Sequence, residues 1–425
     1  MIKQFAGTTA TKILTTALSF LTVILATRYL GAEEYGNISL FVLSISLLQL
    51  ISGIAGGPAL VYLVPRMALR IIFTGSLLWT LAVHGLAFLG LSLAGIFPAG
   101  LPMDLFLVSI LFFLNTFAYT TLLARKKILQ FNVILIIQAL IMVTSLSVQL
   151  LLAEEKNISL YINALYLSNG IAAITGWMQI IPFFNQPADI SLLKGLRKMI
   201  RYGGFLQMAN GVQLLNYRLS YFLIDFFTGR ASLGIYTAGV QLSEGIWIFG
   251  KSFAVVQYSS ISNSDDKDYA QRLSINLVKI TAMLTLACLF ILFILPVSFY
   301  TLLFGEGFGE VKNVIIWMAP GILALNMSQI LSHYFSGTGK QEHNAISSVI
   351  GLVVTAISGF ILIPQYGLTG AAAAASCTYT ASLVYQFIIF SRINTLKASA
   401  FSLSNEDISM LKRIWNKINR KGEEN

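Results

Sequence analysis

Twelve apolar stretches of about 20 residues or more follow one another along the chain, and a run of that length is what a helix needs to cross the roughly 30 Å hydrocarbon core of a bilayer. Their limits lie near 9–28, 36–64, 71–96, 104–124, 131–153, 160–181, 202–227, 234–257, 273–303, 311–334, 344–364 and 367–390. Inside hydrocarbon every backbone N–H and C=O must be satisfied within the segment, so each stretch is expected to be helical. A membrane barrel would need short strands of alternating polarity, and no such pattern is seen. Charge agrees with this reading. Only 11% of the 425 residues are charged, against about 25% in a soluble chain, and the mean hydropathy is +0.75. The first stretch is too long, and lacks the small-residue cleavage site, for a removed signal peptide.

Several chemistries are excluded by what the sequence lacks. Cys288 and Cys377 both sit in apolar runs, which leaves neither a disulfide framework nor a thiolate metal site. His84, His333 and His343 are too scattered for a metal-ligand spacing, and no phosphate-cradling G-x-x-x-x-G-K-[ST] loop occurs. The reading therefore contains no catalytic residue, no metal and no cofactor. The net charge of +10 does not point to nucleic acid, because the basic residues are segregated by side. Alternate loops and the C-terminal tail on one side hold 21 Lys and Arg; the other side holds Arg28, Lys156, Arg230 and Lys312. By the positive-inside rule both termini of this multi-pass chain are expected in the cytoplasm.

The chain also repeats. Residues 28–36 read RYLGAEEYG and residues 227–236 read FTGRASLGIY, so that Gly31 aligns with Gly229 and Gly36 with Gly234 at a shift of 198 residues. Six stretches precede the segment 182–201 and six follow it. Because six is even, both halves enter the membrane from the same side, which makes the repeat parallel. The expected fold is all-α and polytopic, with about twelve transmembrane helices in two pseudo-symmetric lobes. These lobes are 1–181 and 202–391, joined by a cytoplasmic linker over 182–201 and followed by a basic tail over 392–425. In the tail, Ser404 and Asp407 have nearly the spacing of a capping box, and Ile408, Leu411, Ile414, Trp415 and Ile418 form one apolar stripe among lysines and arginines. Such a helix is expected to lie on anionic lipid.

Some side chains resist the lipid. A charge at the bilayer centre costs at least about 2.5–3.5 kcal/mol, yet stretches seven and eight contain Arg218, Asp225, Glu244 and Lys251. Each pair is seven residues apart and so shares one helical face, the first with Asn210, Tyr217 and Tyr221, the second with Gln241. One reading is that these faces line a wet interior, in which Arg218 and Lys251 attract an anion while Asp225 or Glu244 exchanges a cation. The other is that they form ion pairs that lock two helices in register. The first half lacks a comparable cluster of charge. Arg28, near the end of the first stretch, is either an interfacial anchor or a further contact for an anion. Gly56, Gly57 and Pro58 interrupt the second stretch, where proline removes a backbone bond and clashes with the preceding turn. They are read as a hinge or as a fixed kink, and Pro296 and Pro320 raise the same question.

Three segments carry a resemblance. RYLGAEEYGNISLF at 28–41, FTGRASLGIYTAGVQLSE at 227–244 and PQYGLTGAAAAAS at 364–376 resemble signature segments of the Wzx-type polysaccharide (O-antigen) flippases. These belong to the multidrug/oligosaccharidyl-lipid/polysaccharide (MOP) exporter superfamily. The resemblance implies a V-shaped bundle that moves a polyprenyl-diphosphate-linked oligosaccharide between leaflets by alternating access, without covalent chemistry. It further implies coupling to H+ or Na+, with Asp225 and Glu244 as the available acids. A polysaccharide polymerase and chain-length machinery are the partners it implies, beside membrane lipid. Arg218, Lys251 and Arg28 would then meet the diphosphate, and Tyr217, Tyr221, Asn210, Gln241 and Trp247 the sugars. Two relatives offer alternatives: multidrug/cation antiporters, which often carry acids inside first-half helices, where this chain has only Asp104 at the edge of the fourth stretch, and lipid II flippases, which usually have fourteen helices.

Overall fold

The computed structural model describes residues 2–57, 59–94, 101–185, 187, 190–263 and 266–395, and among these the regular structure is helical. Pro58 and the amphipathic stripe of the tail lie outside the described residues. In chain order the helices are α1 (Ile2–Ser52), α2 (Ala59–Leu63), α3 (Leu69–Ala94), α4 (Pro102–Ala124), α5 (Ile128–Leu152), α6 (Ile158–Ile180), α7 (Leu192–Thr228), α8 (Arg230–Ser262), α9 (Lys267–Ile294), α10 (Val297–Phe304), α11 (Val311–Gly337) and α12 (Glu342–Ile393).

Among the described residues eight stretches are long and apolar enough to cross a membrane, and two of them are far longer than one crossing requires: Ala10–Leu63 with 54 residues and Glu342–Ile393 with 52. At about 1.5 Å per residue, either would reach more than twice the hydrocarbon thickness if straight. Neither is straight. Gly31 (φ 85°, ψ 178°) folds α1 back on itself, and Gly367 (φ 57°, ψ −127°) does the same for α12. Both lie at φ values that a Cβ disfavours, so glycine is what permits the turns. Counting each as a helix pair, and adding the more polar α7 and α8 with 37 and 33 residues, gives the twelve crossings expected from the apolar pattern.

Three boundaries differ from that pattern. The second crossing does not run unbroken to residue 64. It ends at Ser52, passes through a short 3-10 turn (Gly53–Ala55), then through Gly56 and Gly57, the latter at φ 53°, before α2. The ninth crossing stops at Ile294, because Leu295 precedes Pro296 and takes the extended conformation that a following proline favours. α7 begins at Leu192, ten residues before the apolar run, since the basic segment Lys194–Arg201 is itself helical. Pro320 does not break α11: the Ser376 hydroxyl accepts from the Gly321 N–H (3.2 Å) and donates to the Trp317 carbonyl (2.6 Å), satisfying backbone groups beside the gap.

The chain packs as two compact units. The first is Met1–Gln241 with Val297–Val311, and the second is Leu242–Pro296 with Lys312–Asn425. The division between these units falls inside α8. Two packing features explain what the first unit takes in. α10 and the turn after it lie against α1, with Phe304 edge-on to Phe20 (6.3 Å) and Phe308 edge-on to Tyr35 (6.5 Å). The α7–α8 turn is tied to the turn of α1 by a reciprocal contact. A Cβ on Gly36 would lie 2.0 Å from the Arg230 carbonyl oxygen, and one on Gly234 would lie 1.9 Å from the Ala32 carbonyl oxygen. Arg230 stands 198 residues after Ala32, as Gly234 does after Gly36, so each repeat gives its glycine to the other's carbonyl. Gly31 and Gly229 share one conformation as well, at φ 85°, ψ 178° and φ 87°, ψ 177°. Ser39 and Thr237, also 198 apart, join hydroxyls at 2.8 Å. The contact has the self-complementary form of a two-fold interface.

Between membrane helices, association rests on close packing through small residues rather than on expulsion of water. Gly36→Ala and Gly234→Ala are therefore both expected to destabilise, each by about 1–3 kcal/mol, because the opposing atom is backbone and cannot rotate away. Equal drops of the thermal midpoint in detergent would support the two-fold equivalence. A drop at one position alone would contradict it.

Elsewhere the first unit is filled by an aromatic core in which Phe73 packs edge-on to Trp177 (4.8 Å) and to Phe117 (5.2 Å). A Cβ on Gly203 of α7 would meet the Ile54 carbonyl oxygen at 2.1 Å, so α7 is pressed directly onto the break in the second crossing. The second unit has its own core around Tyr334, Phe335 and Phe390.

Candidate substrate cavity

The first unit carries an open cavity of about 450 Å³ along α1, α5, α6, α7 and the start of α8. Its wall is polar in register. Thr15, Ser19 and Thr22 face it from the first arm of α1 and Ser39 and Ser46 from the second, at spacings of three, four and seven that keep them on one helical face. α5 contributes Gln138, α6 contributes Ser168 and Asn169, and α8 contributes Thr237 and Gln241. Among the described residues that line it, Arg218 is the one charged side chain.

Arg218 is half-buried and held by Tyr221, one turn further along α7. Its guanidinium donates to the Tyr221 hydroxyl, and its centre stands 4.9 Å from that ring's centroid. Tyr221 is itself buried, edge-on to Tyr236 at 5.9 Å. This stack sets where the cation lies. A planar guanidinium with several donors can hold an oxyanion by two parallel hydrogen bonds, which an ammonium cannot.

Of the residues singled out in the sequence, Arg218, Tyr221 and Gln241 come together in this cavity. The others do not line it. Asp225 pairs with Arg230 across the Gly229 turn at 2.8 Å. Asn210 donates to Gln207 (2.8 Å), and the Tyr217 hydroxyl accepts from Gln213 (3.3 Å). Arg28 is exposed and donates to the Leu302 carbonyl at 3.4 Å. Glu244, Trp247 and Lys251 belong to the second unit, where Lys251 is exposed with its ammonium 5.2 Å from the centroid of the buried Trp247 ring. His84 is an interior residue joined to Ser52 at 3.2 Å.

A second cavity, of about 380 Å³, adjoins the helix break and shares Ser46 with the first. It is lined by Gly53, Gly57, Gln49 and Gln207 together with Phe112, Phe113, Phe117 and Tyr119. Gly57 of the expected hinge therefore borders a cavity, while Gly56 packs near Ser76, whose hydroxyl donates to the Ala55 carbonyl at 2.6 Å.

A sequence search for charge finds Arg218 but passes over the rest of this wall, whose members are neutral. The available signal was the helical spacing of Thr15, Ser19 and Thr22, and of Ser39 and Ser46, in runs otherwise apolar.

Residues 24–313 match the model of a family described as polysaccharide biosynthesis protein. The chain belongs to that family. Among curated relatives it is similar to the capsular polysaccharide biosynthesis protein CapF of Staphylococcus aureus, with 24% identity over 191 residues, 44% of this chain and 48% of that protein. It is also similar to the lipid II flippase MurJ of Bacillus subtilis, with 30% identity over 80 residues, 19% of this chain and 15% of that protein. The chain thus spans about half the length of the first of these relatives, and far less of the second.

Its fold is shared with solved structures over nearly the whole length. A structure of lipid II flippase MurJ in an inward closed conformation superposes with a TM-score of 0.77 at 17% identity, covering 98% of this chain and 93% of the other. An inward-facing multidrug resistance MATE family transporter of the MOP superfamily superposes at 0.68 with 14% identity, covering 90% and 96%. The regular structure of the described residues is helical, and this family member is a multi-pass membrane protein that shares its fold with these structures.

Proposed function

We propose that this protein translocates a polyprenyl-diphosphate-linked oligosaccharide across the bacterial inner membrane by alternating access, supplying cell-surface polysaccharide synthesis. The observation that carries the reading is that Arg218 is the one charged side chain among the described residues lining a cavity of hydroxyls, amides and apolar side chains. A guanidinium offers a diphosphate charge-assisted, bidentate hydrogen bonds, and sugar hydroxyls suit the neutral donors and acceptors around it. The family's place in polysaccharide biosynthesis and the fold shared with a lipid II flippase support the same cargo class.

The two lobes of the cycle are residues 1–181 and 202–391, with both termini cytoplasmic as the Lys and Arg asymmetry requires. In this orientation the paired turns at Gly31 and Gly229 lie at the outer face, and their contact must open for cargo to leave. Gly56 and Gly57 let the end of the second crossing bend as it does. Asp225 and Glu244 are the acids through which H+ or Na+ would drive the cycle. Lys251 and Arg28 lie on the diphosphate's route rather than at its resting place.

Deletion of the gene separates this reading from drug–cation antiport, the activity of a fold relative. Intracellular build-up of lipid-linked repeat units with loss of surface glycan is the expected result. Normal surface glycan with new sensitivity to cationic dyes would contradict it.

A further inference from the structure

Three side-chain amides from three helices meet behind the cavity wall. Asn115 of α4 donates to Gln138 Oε1 (3.0 Å) and to Asn169 Oδ1 (3.3 Å), and Gln138 Nε2 also donates to Asn169 Oδ1 (3.0 Å). Asn169 Nδ2 is turned to the Leu165 carbonyl at 3.0 Å. Asn115 and Asn169 are buried to within 1% of completeness, while Gln138 and Asn169 line the cavity.

An amide offers two N–H donors and an oxygen with two lone pairs. In this arrangement Asn115 spends both donors on its neighbours, and its Oδ1 is buried with no hydrogen-bond partner. Asn169 Oδ1 is filled by two donors. Beyond these bonds there remain the lone pairs of Asn115 Oδ1, one N–H on Gln138, one N–H on Asn169 and one lone pair on Gln138 Oε1. Buried amides that are mutually braced hold fixed directions, and fixed directions discriminate, because a ligand lacking the matching group leaves them unsatisfied.

We infer that Gln138, braced by Asn115 and Asn169, forms a sugar-selecting subsite that reads hydroxyl or acetamido groups of an uncharged saccharide unit in the cargo. The inference rests on the translocation reading and adds to it a division of labour. Arg218 serves the diphosphate common to every such lipid, and the amide wall serves the sugar that differs between them. The wall is neutral, so the unit it reads carries no carboxylate or phosphate of its own. Asn115 does not border the cavity and is a positioning residue.

The test is binding of two probes to the full chain in nanodiscs: bare polyprenyl diphosphate, and the lipid-linked repeat unit extracted from cells lacking the gene. The wild-type protein is expected to prefer the glycosylated probe. Gln138→Met keeps the side chain's length and removes its polar atoms, and is expected to weaken binding of the glycosylated probe by about tenfold while leaving the bare probe unchanged. Arg218→Ala should weaken both. Thermal midpoints of all variants are measured alongside. Loss of affinity for both probes in Gln138→Met, with a lowered midpoint, assigns the amides to packing and overturns the subsite. Equal affinity of the wild type for the two probes also overturns it while leaving the translocation reading intact. Binding of neither probe overturns both.

Discussion

Arg218→Ala is expected to reduce surface polysaccharide by at least tenfold to a hundredfold, roughly the value of one or two charge-assisted hydrogen bonds to the cargo, with the protein still inserted at its normal level. The side chain stands in the cavity with its cation beside Tyr221, and its removal leaves the described lining neutral. Arg218→Lys should restore part of the activity, since charge returns without the planar fork that holds a phosphate by two bonds. Tyr221→Phe tests the seating of the guanidinium in the same assay, because it removes the hydroxyl that Arg218 touches and keeps the ring. Normal surface glycan in Arg218→Ala, at matched protein abundance, would remove this residue from the mechanism.

The second large effect concerns the repeat contact. Ser39 and Thr237 hold their hydroxyl oxygens 2.8 Å apart, which places a cysteine pair at these positions within reach of a disulfide with little backbone adjustment. The double variant Ser39→Cys, Thr237→Cys is expected to cross-link under mild oxidation and to stop transport, and reductant should restore it. Each single variant should be nearly as active as the wild type. Full activity in the fully cross-linked protein would mean that this contact does not open during the cycle.

Both predictions draw on features that were unevenly legible in the sequence. The twelve crossings and the 198-residue repeat could be read because lipid imposes run length on every spanning helix and because a glycine at positive φ has no ready substitute. Gly31 and Gly229 were visible for that reason, and so was the break at Gly56 and Gly57. The reciprocity of Gly36 and Gly234 was not, since spacing along a chain does not reveal which backbone a glycine approaches. Charge led to Arg218 because a cation in an apolar run is costly enough to need a cause. It also drew attention to Asp225, whose partner Arg230 lies just past a turn, and to Lys251, which is exposed. The amides and hydroxyls of the first half escaped notice because Ser, Thr and Asn are common in membrane helices as local hydrogen-bond donors. Thr27 and Thr144 here do bond back to their own helix, and so does Thr22, which lines the cavity as well. Only the assembled helices show which of these side chains, Gln138 among them, border a cavity.

The central claim is movement of a lipid-linked oligosaccharide from one leaflet to the other, and reconstitution tests it most directly. The purified protein is placed in vesicles that contain the lipid-linked repeat unit in both leaflets, and a membrane-impermeant lectin or glycosidase is added outside, with an ion gradient imposed or absent. Vesicles without protein should present only their outer-leaflet pool. With the wild-type protein the inner pool should become accessible as well, and with Arg218→Ala it should stay protected. An inner pool that remains protected in the presence of folded wild-type protein, with and without the gradient, would contradict the account.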